Sequence, residues 1–311
     1  MVAHDDGATQ EVGDGLSIHQ ASEVLNVPAP TIRSWERRYG VPVADRSSGG
    51  HRRYTRDQLE QLRWMRDLVA QGRRPVEAAA LVAAGHATSP RRLVEAFLGA
   101  ARDLAPNRIA DTLEVATSTL GLDRTVDEVL MPAMREVGEW WHAGRIDVAH
   151  EHLATSAARA WLATLDATGP LRPEPPIILC CGPRDHHTLA LEAIGALLRS
   201  RRWDCRLLGA RTPVESLGHA IQETNAAAVV LACHVGAGRA AAVDALRFAD
   251  RFGAQLFYAG GAFVFRRSRQ DVPGRYLGTT LAQAADLVTH TVTAARAGSA
   301  PDVPDKVRSN L

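Results

Sequence analysis

A multidomain chain, part α and part α/β, is predicted by three observations along the 311 residues. Residues 16 to about 84 alternate short helical patterns with one glycine-rich basic turn, the parts of a winged helix-turn-helix. Residues 91 to about 168 are helical in pattern with short connections, which predicts an antiparallel four-helix bundle. Beyond a proline-rich stretch, five apolar runs alternate with helical patterns, which predicts a doubly wound, flavodoxin-like (Rossmann-type) parallel sheet. The expected organisation is a disordered leader (1–14), a DNA-reading module (15–86), the bundle (90–169), the α/β part (176–298) and a flexible tail (299–311).

Composition narrows the class. The formal net charge is +1, but between Thr31 and Arg74 there are eleven arginines against five acidic residues. That local excess points toward phosphate. Four cysteines (Cys180, Cys181, Cys205, Cys233) lie mostly in apolar runs without C-x-x-C spacing, so buried thiols in a reducing compartment are expected. No apolar stretch approaches about 18 residues and no signal peptide is visible. A soluble, cytoplasmic protein with no membrane partner is the expectation. No nucleophile–base–acid set suggests a hydrolase, and no enzymatic role is expected.

In chain order, residues 1–14 are acidic and glycine-rich without periodicity. Ser17 caps a short helix, Ile18 to Leu25, and Val27-Pro28-Ala29-Pro30 makes a turn. A second helix, Thr31 to Tyr39, carries Arg33, Trp35, Arg37 and Arg38 and ends at Gly40. Arg46 to Tyr54 then reads as a glycine-turned hairpin. Helix Arg56 to Gln71 and a shorter helix from Pro75 to Ala84 complete the module, and 85–90 reads as a hinge.

Trp35-Glu36-Arg37-Arg38-Tyr39-Gly40 with Gly50-His51-Arg52-Arg53-Tyr54 closely resembles the MerR family of transcription regulators, over Ser17 to about Leu81. The resemblance implies that the second helix enters the DNA major groove and the wing contacts backbone beside it. Carried over by position, Thr31, Arg33, Arg37 and Arg38 face the groove, while Arg52, Arg53 and Tyr54 grip phosphate. Phosphate contacts give register and base contacts give sequence choice. Trp35 reads as core. Members of that family dimerise through a long helix after the wing; no long coiled coil is visible here, so self-association is expected from elsewhere.

The bundle segments are Arg91 to Asp103, Pro106 to Leu120, Leu122 to Trp141 with Pro132 inside, and Val148 to Ala167. Most of their apolar residues are core. One spacing stands apart: Trp141, nine residues, then Glu151 and His152 (W-x9-E-H), with His142 directly after the tryptophan. Gly144 and Asp147 break and recap the chain between them. Trp141 and His142 therefore end one helix where Glu151 and His152 begin the next, at one end of the bundle. Taken alone, such residues are more often structural.

Pro170, Pro173, Pro175 and Pro176 form a stiff linker. Strands are expected at Ile177–Cys181, Asp204–Leu208, Ala227–Cys233, Gln255–Ala259 and Arg275–Leu277. Helices are expected near Thr188–Arg202, Pro213–Thr224, Arg239–Phe252 and Leu281–Ala297. The loops after the first, third and fourth strands share the carboxyl edge of such a sheet, where open α/β folds place ligands. They hold Asp185-His186-His187, Ala232-Cys233-His234 and Gly260-Gly261. An imidazole with a carboxylate two residues earlier suits a metal ligand oriented by a second acid.

The Asp185-x-His187 loop, the Gly260-Gly261 turn and the preceding bundle together resemble the cobalamin-binding module of corrinoid proteins. By that resemblance His187 is the lower cobalt ligand, displacing the cofactor's own dimethylbenzimidazole, and Asp185 is its hydrogen-bond partner. The nucleotide tail then threads toward Gly260 and Gly261, past Cys233 and His234. With a MerR-type reader and W-x9-E-H present, residues 16 to 298 look like the CarH/LitR group of adenosylcobalamin-dependent photoreceptor repressors. That likeness implies that Trp141, Glu151 and His152 pack around the upper, adenosyl face. It also implies a dark tetramer on operator DNA that separates when light breaks the cobalt–carbon bond, with His142 as the upper cobalt ligand afterwards.

Two positions depart from the pattern. The family's D-x-H-x-x-G has Ala190 at the glycine, and the usual serine or threonine after the third strand is replaced in Ala232-Cys233-His234. His234 is open to two readings, a hydrogen bond to the tail or ligation of something else. Three alternatives stand beside the photoreceptor reading. One is a corrinoid carrier for methyl transfer, which gains nothing from a winged helix. Another is a regulator that has exchanged its cofactor for a different tetrapyrrole or a protein partner. The third is a regulator that senses cobalamin abundance independently of light.

Overall fold

The computed structural model describes residues 15–42, 45–46, 52–165 and 169–297. The leader, the tail, and Gly50 and His51 lie outside the described residues. The chain divides after Arg92 into two compact units.

The first unit is built by local signals that agree with one another. Helix α1 (Ile18–Leu25) opens with a reciprocal cap: the Gln20 backbone N–H donates to Ser17 Oγ and the Ser17 N–H donates to Gln20 Oε1. The same Ser/Thr-to-Gln box, Thr55 with Gln58, opens α3 (Arg56–Ala70). Such boxes satisfy donors that the first helical turn leaves free. Helix α2 spans Ala29–Tyr39, so it begins inside the stretch expected to be a turn. Pro30 falls in its first turn, where a missing N–H has no intrahelical acceptor to lose. Strands β1 (Asp45–Arg46) and β2 (Arg52–Arg53) pair antiparallel as the wing, and Leu16 bridges to Tyr54 at its base. Ala21, Leu25, Ile32, Trp35, Tyr54, Leu62, Met65 and Val82 form the buried core.

Helix α4 runs Pro75–Ala87, through the expected hinge at Gly85. A Cβ at Gly85 would lie 2.4 Å from the Trp64 ring. That glycine serves close packing of α4 on α3, and the break falls only at Thr88 and Ser89.

The second unit holds helices α5 (Pro90–Arg102), α6 (Pro106–Leu120), α7 (Leu122–Arg124), α8 (Met131–His142) and α9 (Val148–Thr164). Between α7 and α8 the backbone makes a π turn, Thr125–Leu130, in which the Met131 N–H reaches back to the Val126 carbonyl. Pro132 follows directly. A proline inside a helix removes one i→i−4 bond and crowds the preceding turn, and a π turn accommodates both.

The α/β part carries β3 (Ile177–Cys181), α10 (Leu189–Ser200), β4 (Cys205–Gly209), α11 (Val214–Thr224), β5 (Ala228–Ala232), α12 (Arg239–Ala249), β6 (Gln255–Ala259), β7 (Arg275–Tyr276) and α13 (Leu281–Ala297). The sheet is parallel throughout, in the order β4-β3-β5-β6-β7. This is the doubly wound arrangement that the alternation predicted. Strands β3 and β5 are buried at every position, as unbroken apolar runs between two helical layers must be. Edge strand β4 leaves Leu207 and Leu208 exposed.

Bundle and sheet share one continuous core, from Leu93 and Phe97 through Trp161 to Ile177, Leu179 and Val288. Polar contacts fix their relative position. Asp127, in the π turn, accepts the backbone N–H groups of Leu281 and Ala282 at 2.7 and 3.1 Å and so caps α13. The Arg201 guanidinium holds Asp123 and Asp286 together. No helix among the described residues is long and apolar enough to cross a membrane.

Candidate functional site

Strand β3 stops at Cys181, and the chain crosses the carboxyl edge of the sheet before α10 begins at Leu189. Asp185 lies in that crossing, fully buried. Its Oδ1 accepts the His187 backbone N–H at 2.9 Å and the His187 ring Nδ1 at 2.7 Å. Its Oδ2 accepts the backbone N–H of His234, from the loop after β5. Burial alone would push the Asp185 carboxyl up. The adjacent His234 and His187 outweigh it and hold the acid well below the usual carboxylate range. An ionised carboxylate only accepts, so the His187 Nδ1 is the donor, which in the neutral tautomer leaves the lone pair on Nε2. The ring is 48% exposed.

The floor beside it needs glycine. Gly260 has φ +105, and a Cβ there would stand 2.3 Å from the Cys233 carbonyl oxygen; at Gly261 one would stand 2.8 Å from the His234 carbonyl oxygen. The loops after β5 and β6 therefore touch backbone to backbone, which side chains at these two positions would prevent. Cys233, His234, Gly260 and Gly261 are brought together as the chain order of the loops predicted. A largely apolar cavity of about 340 Å³ opens alongside, lined by Ala190, Ile194, His234, Gly260 and Leu277 and closed on the bundle side by Met131 and Arg135 of α8.

At the end of the bundle, Trp141 is exposed and its ring meets His142 edge-on at 4.7 Å. The His142 Nδ1 lies 2.8 Å from the Gly138 carbonyl oxygen. A carbonyl only accepts, so Nδ1 is the donor here as well. Glu151 Oε1 accepts from Thr155 Oγ1 at 2.8 Å, and Glu151 Oε2 is 3.7 Å from His152 Nε2. Among the described residues, no hydrogen bond or ion pair joins these four residues to the Asp185 loop.

A helical face does connect them. Glu151, Thr155 and Arg159 are spaced four apart on α9, and residues so spaced share a face. Arg159 reaches Thr188 Oγ1 at 2.6 Å and Glu192 at 3.1 Å, one residue beyond His187. Eight residues of helix put Glu151 about 12 Å farther along the same face. Sequence reading missed Arg159, Thr188 and Glu192, and also Met131 and Arg135 at the cavity. The four-residue spacing on α9 and Thr188–Glu192 at the start of α10 were the available signals.

In the first unit, Arg33, Arg37 and Arg38 are exposed on α2, with Thr31 half-buried at its start. The wing differs from expectation. The Arg52 Nε donates to Glu36 Oε2 at 2.7 Å, and that hydrogen bond raises the guanidinium pKa further. Arg52 therefore latches the wing to α2. Arg53 is half-buried, its Nε enclosed. Tyr54 does not face phosphate: it is fully buried with its hydroxyl enclosed, because its strand bridges to Leu16 and turns the ring into the core.

Comparison with known proteins follows these divisions. A family model described as "MerR HTH family regulatory protein" matches residues 16–84, and one described as "B12 binding domain" matches residues 91–166. The chain is 34% identical over 225 residues to the HTH-type transcriptional repressor CarH of Myxococcus xanthus, covering 66% of this chain and 74% of that protein. It is 32% identical over 210 residues to the repressor CarA of the same organism, covering 65% and 70%. The monomethylamine corrinoid protein of Methanosarcina barkeri superposes with a TM-score of 0.54 at 12% identity, over 65% of this chain and all of that one. That last likeness shows a shared fold.

The geometry fits a corrinoid. The Asp185-oriented His187 ring stands next to the His234 ring, and His234, Gly260 and Gly261 line a largely apolar cavity at the same edge of the sheet.

Proposed function

This chain belongs to the family of the HTH-type transcriptional repressors CarH and CarA, and from that premise we propose a light-released repressor. It holds adenosylcobalamin, assembles on operator DNA in the dark as a homo-oligomer, expected to be a tetramer, and leaves the operator after illumination. The observation that supports this best is the Asp185–His187 pair, which orients a half-exposed imidazole at the carboxyl edge of the sheet. When bound, adenosylcobalamin supplies a light-labile cobalt–carbon bond.

The chain's own residues bind, orient and report. His187 is assigned as the lower cobalt ligand, and Asp185 fixes its ring and tautomer. Gly260, Gly261 and His234 line the cavity assigned to the nucleotide tail, and Cys233 packs against Gly260 beside them. Trp141, Glu151 and His152 are assigned to the adenosyl face. His142, its Nδ1 held by the Gly138 carbonyl, would be a cobalt ligand after light. Thr31, Arg33, Arg37 and Arg38 read the groove, with Arg52 holding the wing in place and Arg53 beside it. Loss of assembly then removes multivalent attachment, so operator affinity falls without a change in the reading helix. The role is regulatory, with no turnover assigned and the cytoplasm as its compartment.

A second reading has one specific support. Ala190 and His234 both line the cavity, so a different tetrapyrrole, or cobalamin level without light, remains the competing signal. One experiment separates them: the cobalamin-free chain is incubated with adenosylcobalamin in darkness, and absorbance and size-exclusion profile are recorded before and after green light. A bound corrin whose spectrum changes together with a fall in oligomer size supports the proposal. Bound corrin with no size change supports light-independent sensing, and no bound corrin overturns the cofactor assignment.

A further inference from the structure

Asp185 faces a second imidazole that cobalt ligation does not use. His234 Nδ1 stands 3.5 Å from Asp185 Oδ2, and that nitrogen is buried with no hydrogen-bond partner. The rings of His187 and His234 are 5.7 Å apart between centroids. One ligand atom from each of Asp185, His187 and His234 falls within 4.8 Å of the others. Among the described residues, no other group of three histidine, cysteine or acidic side chains converges in this way.

Two readings of His234 compete. A hydrogen bond to Asp185 would satisfy Nδ1, but 3.5 Å is long for an N–H to a carboxylate, where about 2.7–2.9 Å is usual. It is instead close to the edge of a coordination tetrahedron. Bonds of about 2.0–2.2 Å from zinc to imidazole nitrogen and carboxylate oxygen place neighbouring ligand atoms about 3.3–3.5 Å apart. A buried polar atom without a partner calls for an explanation, and two imidazoles with one carboxylate form a donor set typical of zinc with an open fourth position. To join, the third ligand, His187, must give up its 2.7 Å hydrogen bond to Asp185, and its half-exposed ring on a loop has room to turn.

We propose that Asp185, His187 and His234 form a divalent-metal site of the zinc class in the cobalamin-free protein. A neutral His187 ring has one nitrogen lone pair, on whichever nitrogen is unprotonated, so an ion that takes it competes with a corrinoid for the same ligand. Metal binding itself does not depend on the cofactor assignment; the competition rests on it.

The test uses the untagged full chain. Zinc is titrated into the cobalamin-free protein against a chromogenic chelator, beside His234→Ala and His187→Ala, each checked for its helical circular dichroism. The expected result is one zinc equivalent more in the unmutated chain than in either variant, or at least a tenfold weaker affinity in both. Equal zinc uptake by all three overturns the site. A second readout needs no variant. Saturating zinc, added before adenosylcobalamin, is expected to slow cofactor uptake at least tenfold, with reversal by EDTA. Unaltered uptake overturns the shared ligand. Cofactor uptake is also measured without zinc, so a chain that takes zinc but never the cofactor overturns the corrinoid assignment and leaves the metal site standing.

Discussion

Arg33, Arg37 and Arg38 stand in solvent on α2, while Asp185 is fully buried and its two oxygens accept three hydrogen bonds. Both regions put charge to use, under opposite physical rules. An exposed guanidinium keeps its hydration and its reach, so it is available to a polyanion and contributes little to the fold. A buried carboxylate has lost its hydration and persists only because N–H groups surround it. The first region keeps its charges uncommitted; the second commits one charge completely so that a neighbouring nitrogen is left free. Arg52 and Glu36 form an intermediate case, a charged pair inside the reader that holds shape.

Mutations sharpen this contrast, from large effects to small. His187→Ala is expected to weaken cobalamin binding on the order of 100-fold or more, and Asp185→Asn about 10–100-fold through the misoriented ring; equilibrium titration in darkness checks both. Unchanged affinity in both variants would remove the contrast at its root. Gly260→Ala forces a side chain onto the Cys233 carbonyl at positive φ and is expected to cost about 2–3 kcal/mol. Urea unfolding of the cofactor-free chain reads that loss directly.

Arg37→Ala is expected to weaken operator binding by about 1–2 kcal/mol while leaving the bound-corrin spectrum alone. A gel-shift series at several salt concentrations is the check, and a spectral change would mean that the two regions are not separable. Glu36→Gln releases Arg52 and is expected to lower stability by no more than about 1 kcal/mol, seen as a small shift in the unfolding midpoint. The smallest effect concerns the thiols. Burial pushes Cys181 and Cys205 up to about 12 and Cys233 up to about 11, because a thiolate in an apolar setting lacks solvation. The folded state thus holds these protons more tightly than the unfolded chain. Their contribution to stability is full below about pH 8.5 and is lost as pH rises beyond it. A chromogenic disulfide reagent at pH 8 is expected to modify them at an appreciable rate only after unfolding.

Much of this architecture was legible because local and global signals coincide. Ile177 to Cys181 is an unbroken apolar run, and an internal parallel strand buried on both faces has no alternative pattern. Asp185 and His187 are two residues apart, so their pairing was visible without a fold. His234 lies 49 residues from Asp185, and only the return of β5 beside β3 makes them neighbours. Tyr54 was misread for a related reason. The hairpin pattern located the wing, but which face turned inward depended on the bridge to Leu16. Pro30 and Gly85 were read as breakers from residue type alone, whereas proline is harmless in a first turn and Gly85 answers to Trp64. The π turn carries no periodic signal at all; it arises because α8 must pass Pro132 while Asp127 stays on α13.

That turn gives α8 the mechanics of a lever. Its lower end is clamped where Asp127 caps α13, and Met131 and Arg135 close the cavity there. Its upper end carries Trp141 and His142, about 15 Å away along a stiff rod. With the fulcrum at the π turn, a small tilt moves the tryptophan far and the cavity wall little.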